Sequence, residues 1–289
     1  MLAIAVLVCL ATTTYAQGDY DKYEKDNETY GTTPYINLSD MPVLKNCMPN
    51  HPAFNSPEFC YDLIRYNWGK EQRSGERIKI AQADAEWDDL EKVYANWKDA
   101  FGLEVTKEGT PAIYAFLNKS LRTTDPTRRD IKAQYHRTRP FEYFNETTAS
   151  GEDDELRGEG SYPSGHTLRG WTITLLMIQI APERAEQLYQ RGMDYGFSRV
   201  IVGAHWQSDV DNSRMGASML FSVLQSNADF RADLQKAQQE YKEKIVSSIP
   251  TVPAKAGKHA ANIYKLDGTP ANEQTHGVVI ENNKKAVKK

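Results

Sequence analysis

The order of apolar and polar residues predicts helices along most of the chain. Between residues 87 and 101, aromatic and aliphatic side chains recur at three- and four-residue steps, the spacing of one buried helix face, and Gly102 provides a stop. The run 171–180 is almost entirely apolar and predicts a buried central helix that ends before Pro182. No alternating apolar run bounded by hairpin turns interrupts this pattern. The predicted fold class is therefore all-α.

Capping residues and prolines mark further helices. Threonine followed by proline opens a helix at 110–111, and aspartate followed by proline opens another at 125–126. The latter must end near Arg139, because Pro140 disfavours the α conformation in the residue before it. Residues 145–159 are acidic and contain glycine, which predicts a loop. Later helical patterns cover about 183–200, 205–225 and 228–247.

The two ends of the chain differ in composition from the middle. A short apolar run from Leu2 to Leu10, followed by small residues before position 17, predicts a secretory signal peptide cleaved near Ala16. No stretch is long enough to span a bilayer, so we expect no stable membrane insertion. The predicted organisation is a signal peptide over 1–16, a flexible segment over 17–34, one helical domain over 35–248 and a lysine-rich disordered tail over 249–289.

Composition and charge exclude little. Hydrophobic residues make up 40% and charged residues 26% of the chain, which is ordinary for a globular protein. The formal net charge of −4 does not indicate nucleic acid as a partner. Export leaves Cys47 and Cys60 in the mature chain, and an even pair in an oxidising compartment predicts a disulfide between them. Two buried free thiols are the alternative.

A basic segment lies just before Pro140. Lys132 and Arg139 are seven residues apart, close to two helical turns, so the predicted helix projects both from one face. On its own, such a pattern is more typical of a solvated helix surface than of a binding site.

The second segment, GSYPSGHT at 160–167, directly precedes the predicted central helix. Backbone N–H groups at a helix start suit an anion, through hydrogen bonds and through the helix dipole. Ser164 can add its hydroxyl, Gly165 allows close approach of a ligand, and His166 lies in the first turn beside the anion. An ordinary capped turn with a packed histidine explains the string equally well.

The third segment runs from Ser198 to Asp209. His205 and Asp209 are four residues apart and are therefore neighbours if both are helical. A carboxylate can hold one imidazole N–H and leave the lone pair of the other nitrogen available, as a nucleophilic histidine requires. Arg199 supplies a planar set of donors for phosphoryl oxygens. A structural histidine–aspartate pair is the alternative.

Together the three segments are much more specific than any one of them. KxxxxxxRP, PSGH and SRxxxxxHxxxD occur in this order in the type 2 phosphatidic acid phosphatase (PAP2) superfamily, and this chain is identified as a member. GSYPSGHT resembles the class A bacterial nonspecific acid phosphatases in particular. The resemblance covers about 60–230. It implies a single-domain helical bundle of the PAP2/acid phosphatase–vanadium haloperoxidase type. The matching positions are Lys132, Arg139, Pro140, Pro163, Ser164, Gly165, His166, Ser198, Arg199, His205 and Asp209.

The resemblance also implies a role for each matching residue. His205 attacks phosphorus, Asp209 orients it, and His166 protonates the leaving group and then activates water. The phosphate-binding residues are Lys132, Arg139, Ser164, Gly165 and Arg199. No cofactor is implied, and the sequence contains no metal-ligand motif such as HExxH.

The function implied is a periplasmic or secreted bacterial acid phosphatase. Its substrates are small phosphomonoesters such as nucleotides, sugar phosphates and aryl phosphates, and vanadate or phosphate should inhibit it. Two alternatives use the same residues: a vanadium-dependent haloperoxidase, and a PAP2-type phosphatase for lipid or diphosphate substrates. Both a monomer and a homo-oligomer remain open.

Overall fold

The structure is a computed structural model that describes residues 30–248, 263–265, 269–271, 275–281 and 284–288. The signal peptide predicted over 1–16 lies outside these residues, as does most of the segment 17–34. By contacts the chain divides into two compact units, one up to Ser248 and one from Ile249.

The first unit is built from α-helices joined by turns and short 3-10 segments, so the predicted helical fold is confirmed. No helix in the described residues is long and apolar enough to cross a membrane. The α-helices are α1 (Pro57–Glu71), α2 (Gly75–Ala83), α3 (Leu90–Ala95), α4 (Lys98–Phe101), α5 (Pro111–Thr124), α6 (Arg129–Tyr135), α7 (Pro140–Tyr143), α8 (Asp153–Leu156), α9 (Gly165–Ile180), α10 (Ala185–Ile201), α11 (Gln207–Leu224) and α12 (Ala228–Ser248).

Helix α9 is the centre of this unit. Most of its residues are buried, as the apolar run over 171–180 predicts, and it packs against α5, α10, α11 and α12. Leu168, Ile173 and Leu176 are completely buried. Each such side chain contributes roughly 1.5–3 kcal/mol when it leaves water. This packing fixes the N-terminus of α9, where the PSGH segment lies.

The apolar stripe over 87–101 does not form one helix. Asp89 accepts hydrogen bonds from the backbone of Glu91 and Lys92 and starts α3, while Trp97 separates α3 from α4. The predicted stop is present, since Gly102 has a φ of 77°. Because α3 starts only at Leu90, Trp87 lies outside the helix and is half-buried instead of belonging to a buried helix face.

The helix predicted from 125 to near Arg139 is also shorter than expected. A 3-10 segment, Asp125–Arg128, leads into α6, which ends at Tyr135 because His136 adopts a left-handed conformation with a φ of 39°. Arg139 is extended and precedes α7. Lys132 and Arg139 therefore do not share a helix face, and that prediction is wrong.

The predicted disulfide is absent from the structure. Cys47 and Cys60 are both free and exposed. Cys47 follows a short 3-10 segment, and Cys60 lies in the first turn of α1 on its outer face. Their sequence separation permits a loop, but the position of Cys60 in α1 leaves its side chain exposed to solvent.

Part of the segment predicted to be flexible is fixed in place. Tyr30 is buried, and its hydroxyl donates to the carboxylate of Asp125. Arg169 of α9 donates to the same carboxylate at 2.8 Å and to the Tyr30 hydroxyl at 2.6 Å. A buried ion pair thus anchors this end of the segment to the central helix.

The second unit contains strands where the sequence predicted a disordered tail. β1 (Ile263–Lys265), β2 (Gly277–Glu281) and β3 (Lys284–Lys288) form an antiparallel sheet in that order. Val279 pairs with Ala286 and with Lys265. The β-branched run in β2 carries the strand propensity that the lysine-rich composition obscured.

Candidate active site

Three segments that are far apart in the sequence meet near the N-terminus of α9. Arg139 donates from Nη1 to the carbonyl of Ala204 at 2.9 Å, and the same nitrogen lies 3.2 Å from Nε2 of His205. The carbonyl of Gly160 accepts from Lys132 Nζ at 2.7 Å and from Arg139 Nη2 at 3.3 Å. The two cations therefore converge on the segment before α9, although they do not share a helix face.

His205 and Asp209 are close, but helical spacing is not the reason. Helix α11 begins at Gln207, so His205 precedes it, and the prediction that both are helical is wrong. Asp209 caps the helix, because its Oδ2 accepts from the backbone N–H of Trp206 at 2.9 Å. This cap places Oδ2 3.6 Å from Nδ1 of His205, longer than an ordinary hydrogen bond.

The protonation state of His205 follows from its surroundings. Burial and the positive charge of Arg139 lower the pKa of His205 well below its usual range, although Asp209 opposes this. The imidazole is therefore neutral near pH 7. Since Arg139 donates towards Nε2, the ring proton belongs on Nδ1, facing Asp209. Nε2 then carries the lone pair, as a nucleophile requires.

Asp209 is held by a residue outside the predicted set. Arg137 donates from Nη1 to Asp209 and from Nη2 to Asp62 of α1 at 2.7 Å. All three side chains are completely buried. Burial alone would raise the pKa of Asp209, but Arg137 holds it well below its usual range. Asp209 is therefore a carboxylate throughout the physiological range.

Asp62 also accepts from the backbone and the hydroxyl of Ser208, at 2.7 and 2.6 Å. Ser208 lies in the first turn of α11. The Arg137–Asp62 pair thus ties α1 to the start of α11, and it fixes Asp209 on the side that faces away from His205.

Arg199 has unused donors. Its side chain is completely buried, and Nη2 lies 2.9 Å from each carboxylate oxygen of Glu152. Within the part of the chain that the structure describes, Nε and Nη1 have no hydrogen-bond partner. Buried, unpaired guanidinium N–H groups are costly, and an anionic ligand would satisfy them.

The cations also affect one another. Desolvation and the neighbouring Arg139 lower the pKa of Lys132 well below its usual range. Desolvation and Arg199 lower the pKa of Arg139 to about 10. Both pKa shifts have the same two causes, which are the loss of hydration on burial and, second, repulsion between neighbouring positive groups. An anion bound beside these groups would relieve the repulsion.

The PSGH segment forms the predicted helix start but uses its groups differently. The Ser164 hydroxyl caps α9, accepting from the backbone N–H and the hydroxyl of Thr167 at 3.2 and 2.9 Å. The open side of Gly165 is occupied by Arg128, whose Nε would lie 3.2 Å from an added Cβ, with Trp87 next to it at 3.7 Å. A Cβ at position 165 would therefore crowd Arg128, which lies on the side where a ligand was expected to approach.

His166 lies in the first turn of α9, as predicted. Its Nε2 is 3.0 Å from the carbonyl of Ala85, and its ring packs against Trp87 with centroids 4.8 Å apart. A carbonyl only accepts, so Nε2 carries a proton and Nδ1 is the nitrogen that can exchange one. Burial and the charge of Arg199 lower the pKa of His166 well below its usual range.

The site combines a neutral imidazole, a permanent carboxylate and three neighbouring cations, one of which, Arg199, has two unpaired N–H donors. In the described residues, no group of three or more histidine, cysteine, aspartate or glutamate side chains is placed to hold a metal ion. Such an arrangement suits the stabilisation of a phosphoryl group and nucleophilic attack on it.

A helical fold with this histidine and cation arrangement defines a class of phosphoryl-transfer enzymes, and comparison with known proteins agrees. Residues 114–228 match the PAP2 superfamily. The non-specific acid phosphatase of Providencia stuartii is 39% identical over 198 residues, which cover 67% of this chain and 79% of the relative. The chain therefore belongs to the PAP2 superfamily.

Two further relatives cover a similar share. The non-specific acid phosphatase of Salmonella typhi is 37% identical over 199 residues, covering 68% of this chain and 79% of the relative. The acid phosphatase of Zymomonas mobilis subsp. mobilis is 31% identical over 198 residues, covering 68% of this chain and 75% of the relative.

Sequence reasoning missed several residues that contact the site: Arg137, Asp62, Glu152, Arg128 and Trp87. Only Arg137 offered a signal, as a third basic residue between Lys132 and Pro140. The contacts that bring the others to the site join residues dozens of positions apart, so no local spacing indicates them.

Proposed function

We propose that this chain is a nonspecific acid phosphatase that hydrolyses small phosphomonoesters through a phosphohistidine on His205. Its relatives make it a phosphoric monoester hydrolase. One observation carries the proposed mechanism: a buried, neutral imidazole with Arg139 3.2 Å from the nitrogen that would attack. The signal peptide predicted over 1–16 is the support for proposing a periplasmic or secreted enzyme.

In the first step, Nε2 of His205 attacks phosphorus as the bond to the leaving oxygen breaks. Arg139 then donates to a phosphoryl oxygen instead of to the imidazole, and Lys132 and Arg199 take the others. The imidazole becomes cationic when the N–P bond forms, and Asp209, an anion held by Arg137, stabilises that charge. His166 gives a proton to the leaving alkoxide.

In the second step, water attacks the phosphohistidine. His166, now neutral, removes the proton from water, and the N–P bond breaks to release phosphate and restore His205. The same residue therefore acts as acid and then as base, and its protonation state returns to the start after each turnover.

Lys132, Arg139 and Arg199 together form the proposed phosphate-binding cradle, and it can be tested by removing one charge at a time. Lys132→Ala, Arg139→Ala and Arg199→Ala should each lower kcat/KM by roughly 10²-fold or more, because a contact to the transition-state phosphoryl group is lost. Arg157→Ala, which removes an exposed arginine, is the matched control. Steady-state kinetics with an aryl phosphate and thermal unfolding should be measured on all four variants.

Folding of the three variants should be preserved, since the cations repel one another without a ligand. If they instead lost stability but kept normal activity per folded molecule, the residues would be structural and the cradle would be wrong.

The activity should be highest at acidic pH. His166 must carry a proton to act as the acid, and its lowered pKa means that the free enzyme holds this proton only well below pH 6.5. We therefore expect kcat/KM to fall as pH rises. A bound dianion offsets the charge of Arg199, which raises the pKa of His166, so the alkaline fall of kcat should lie at higher pH.

A substrate with an activated leaving group provides the control, because it needs less acid assistance and its alkaline fall should be weaker. An activity that rose steadily towards pH 10 with a poor leaving group would contradict the role of His166.

A further inference from the structure

Glu152 lies within the group of cations that the proposed mechanism assigns to substrate. Both of its carboxylate oxygens are 2.9 Å from Nη2 of Arg199, and Ser150 donates its hydroxyl to one of them. The negative charge also acts on Arg139, whose pKa it raises against the effect of burial. Glu152 is therefore the carboxylate that pairs with Arg199, and its charge also acts on Arg139.

The segment that carries Glu152 is held on both sides but is partly exposed to solvent. Thr148 donates from its backbone N–H and its hydroxyl to Asp153, at 3.0 and 2.8 Å, and its hydroxyl accepts from the N–H of Glu152 at 3.2 Å. Before it, the backbone N–H of Ala149 donates to the carbonyl of Val202, at the end of α10, at 2.9 Å. After it, α8 is a single turn, and Asp154 and Glu155 are exposed. The Glu152 side chain itself keeps 14% of its surface in contact with solvent, whereas Arg199 keeps none. The carboxylate is thus the solvent-accessible partner of this ion pair.

An incoming phosphoryl group and Glu152 would compete for the same charge. A substrate dianion on Nε and Nη1 of Arg199 would bind the same guanidinium group as the Glu152 carboxylate, which contacts Nη2. Two negative groups on one guanidinium repel each other strongly in a buried site. The carboxylate can either withdraw or remain at a cost. Both cases weaken the binding of phosphate.

We propose that Glu152 is a counter-ion that pairs with Arg199 when no substrate is bound and is displaced by the phosphoryl group, so that it sets the affinity for phosphate. The proposal rests on the phosphate cradle proposed above. Glu152 keeps the buried guanidinium partly neutralised between turnovers, and its return to Arg199 favours the release of the product phosphate.

The test compares two isosteric charge removals in the same loop. Glu152→Gln should lower the inhibition constant of inorganic phosphate by roughly three- to tenfold, the effect of removing one competing ion pair, and should lower KM in the same direction. Glu155→Gln removes an equal charge from an exposed position and should change neither. An inhibition constant that rose in Glu152→Gln would mean that Glu152 positions Arg199 for substrate, and an unchanged constant would mean that it does not compete; either result overturns the proposal.

Hydrogen–deuterium exchange over 148–157 gives a second readout. Saturating phosphate should speed exchange in this segment of the wild-type enzyme, because the ion pair between Glu152 and Arg199 breaks. In Glu152→Gln, phosphate should have little further effect on the exchange. Slower or unchanged exchange in the wild type would show that the loop keeps its contact, and the proposal would be wrong.

Arg199→Ala separates this proposal from the one on which it rests. If that variant bound inorganic phosphate as tightly as the wild type, the cradle itself would be wrong. If it lost phosphate binding while Glu152→Gln failed to strengthen it, only the counter-ion proposal would fail.

Discussion

His205→Ala is expected to form no phosphoenzyme with any substrate and to lose roughly 10³-fold or more in kcat, because the attacking nitrogen is gone. His166→Ala should behave differently. It lacks the acid, which a good leaving group hardly needs, but it also lacks the base for water. With an activated aryl phosphate it should therefore accumulate phosphohistidine on His205 and hydrolyse it slowly.

Rapid quench at neutral or alkaline pH, where phosphohistidine survives, followed by mass spectrometry measures this directly. Added phosphate should appear on the peptide that contains His205 in His166→Ala and be absent in His205→Ala. His136→Ala removes an exposed histidine at the end of α6 and is the control for general effects of losing an imidazole. Phosphate on Ser164, or no intermediate in any variant, would favour serine attack or direct attack by water.

Arg137→Met should destabilise the protein by about 3–5 kcal/mol, because it leaves the carboxylates of Asp62 and Asp209 buried without their cation. For a protein of this size the melting temperature should fall by roughly 10 °C. Activity should fall as well, even where the variant is folded, since Asp209 loses the partner that orients it. Arg157→Met, at an exposed position, is the control and should change the melting temperature little.

A double variant shows whether Arg137→Met loses stability because it leaves buried charges unpaired or because it loses packing. Arg137→Met combined with Asp62→Asn removes one of the two uncompensated charges, so it should be more stable than the sum of the single changes predicts. Additive effects would mean that the three side chains are not coupled and that Arg137 stabilises the fold only through its volume.

The local sequence was sufficient for the fold class and for the positions of most helices. The apolar run over 171–180 can only be buried as a helix of this length, and the start of α9 at PSGH follows from a capping serine and a glycine. Left-handed Gly102 ends α4 for an equally local reason. Periodicity and capping act between residues a few positions apart, so they can be predicted from one chain.

Only the tertiary structure decided how these pieces form a site. Lys132 and Arg139 meet because the chain turns at His136 and both side chains reach the carbonyl of Gly160, not because they share a helix face. A helix boundary that shifts by a few residues changes the direction of every later side chain. Ile131 of α6 is buried in one apolar cluster with Leu168 and Trp171 of α9, a contact that spacing does not show.

The pairing of cations with carboxylates was also decided by the tertiary structure. Arg137 meets Asp62 across 75 positions, and Arg199 meets Glu152 across 47. The sequence by itself determined which residue types the site contains, since the motifs supply them in order. The packing of α1, α10 and α11 decided which carboxylate neutralises which cation. A buried charge must be paired, and its partner is the oppositely charged group that the packing brings within contact distance.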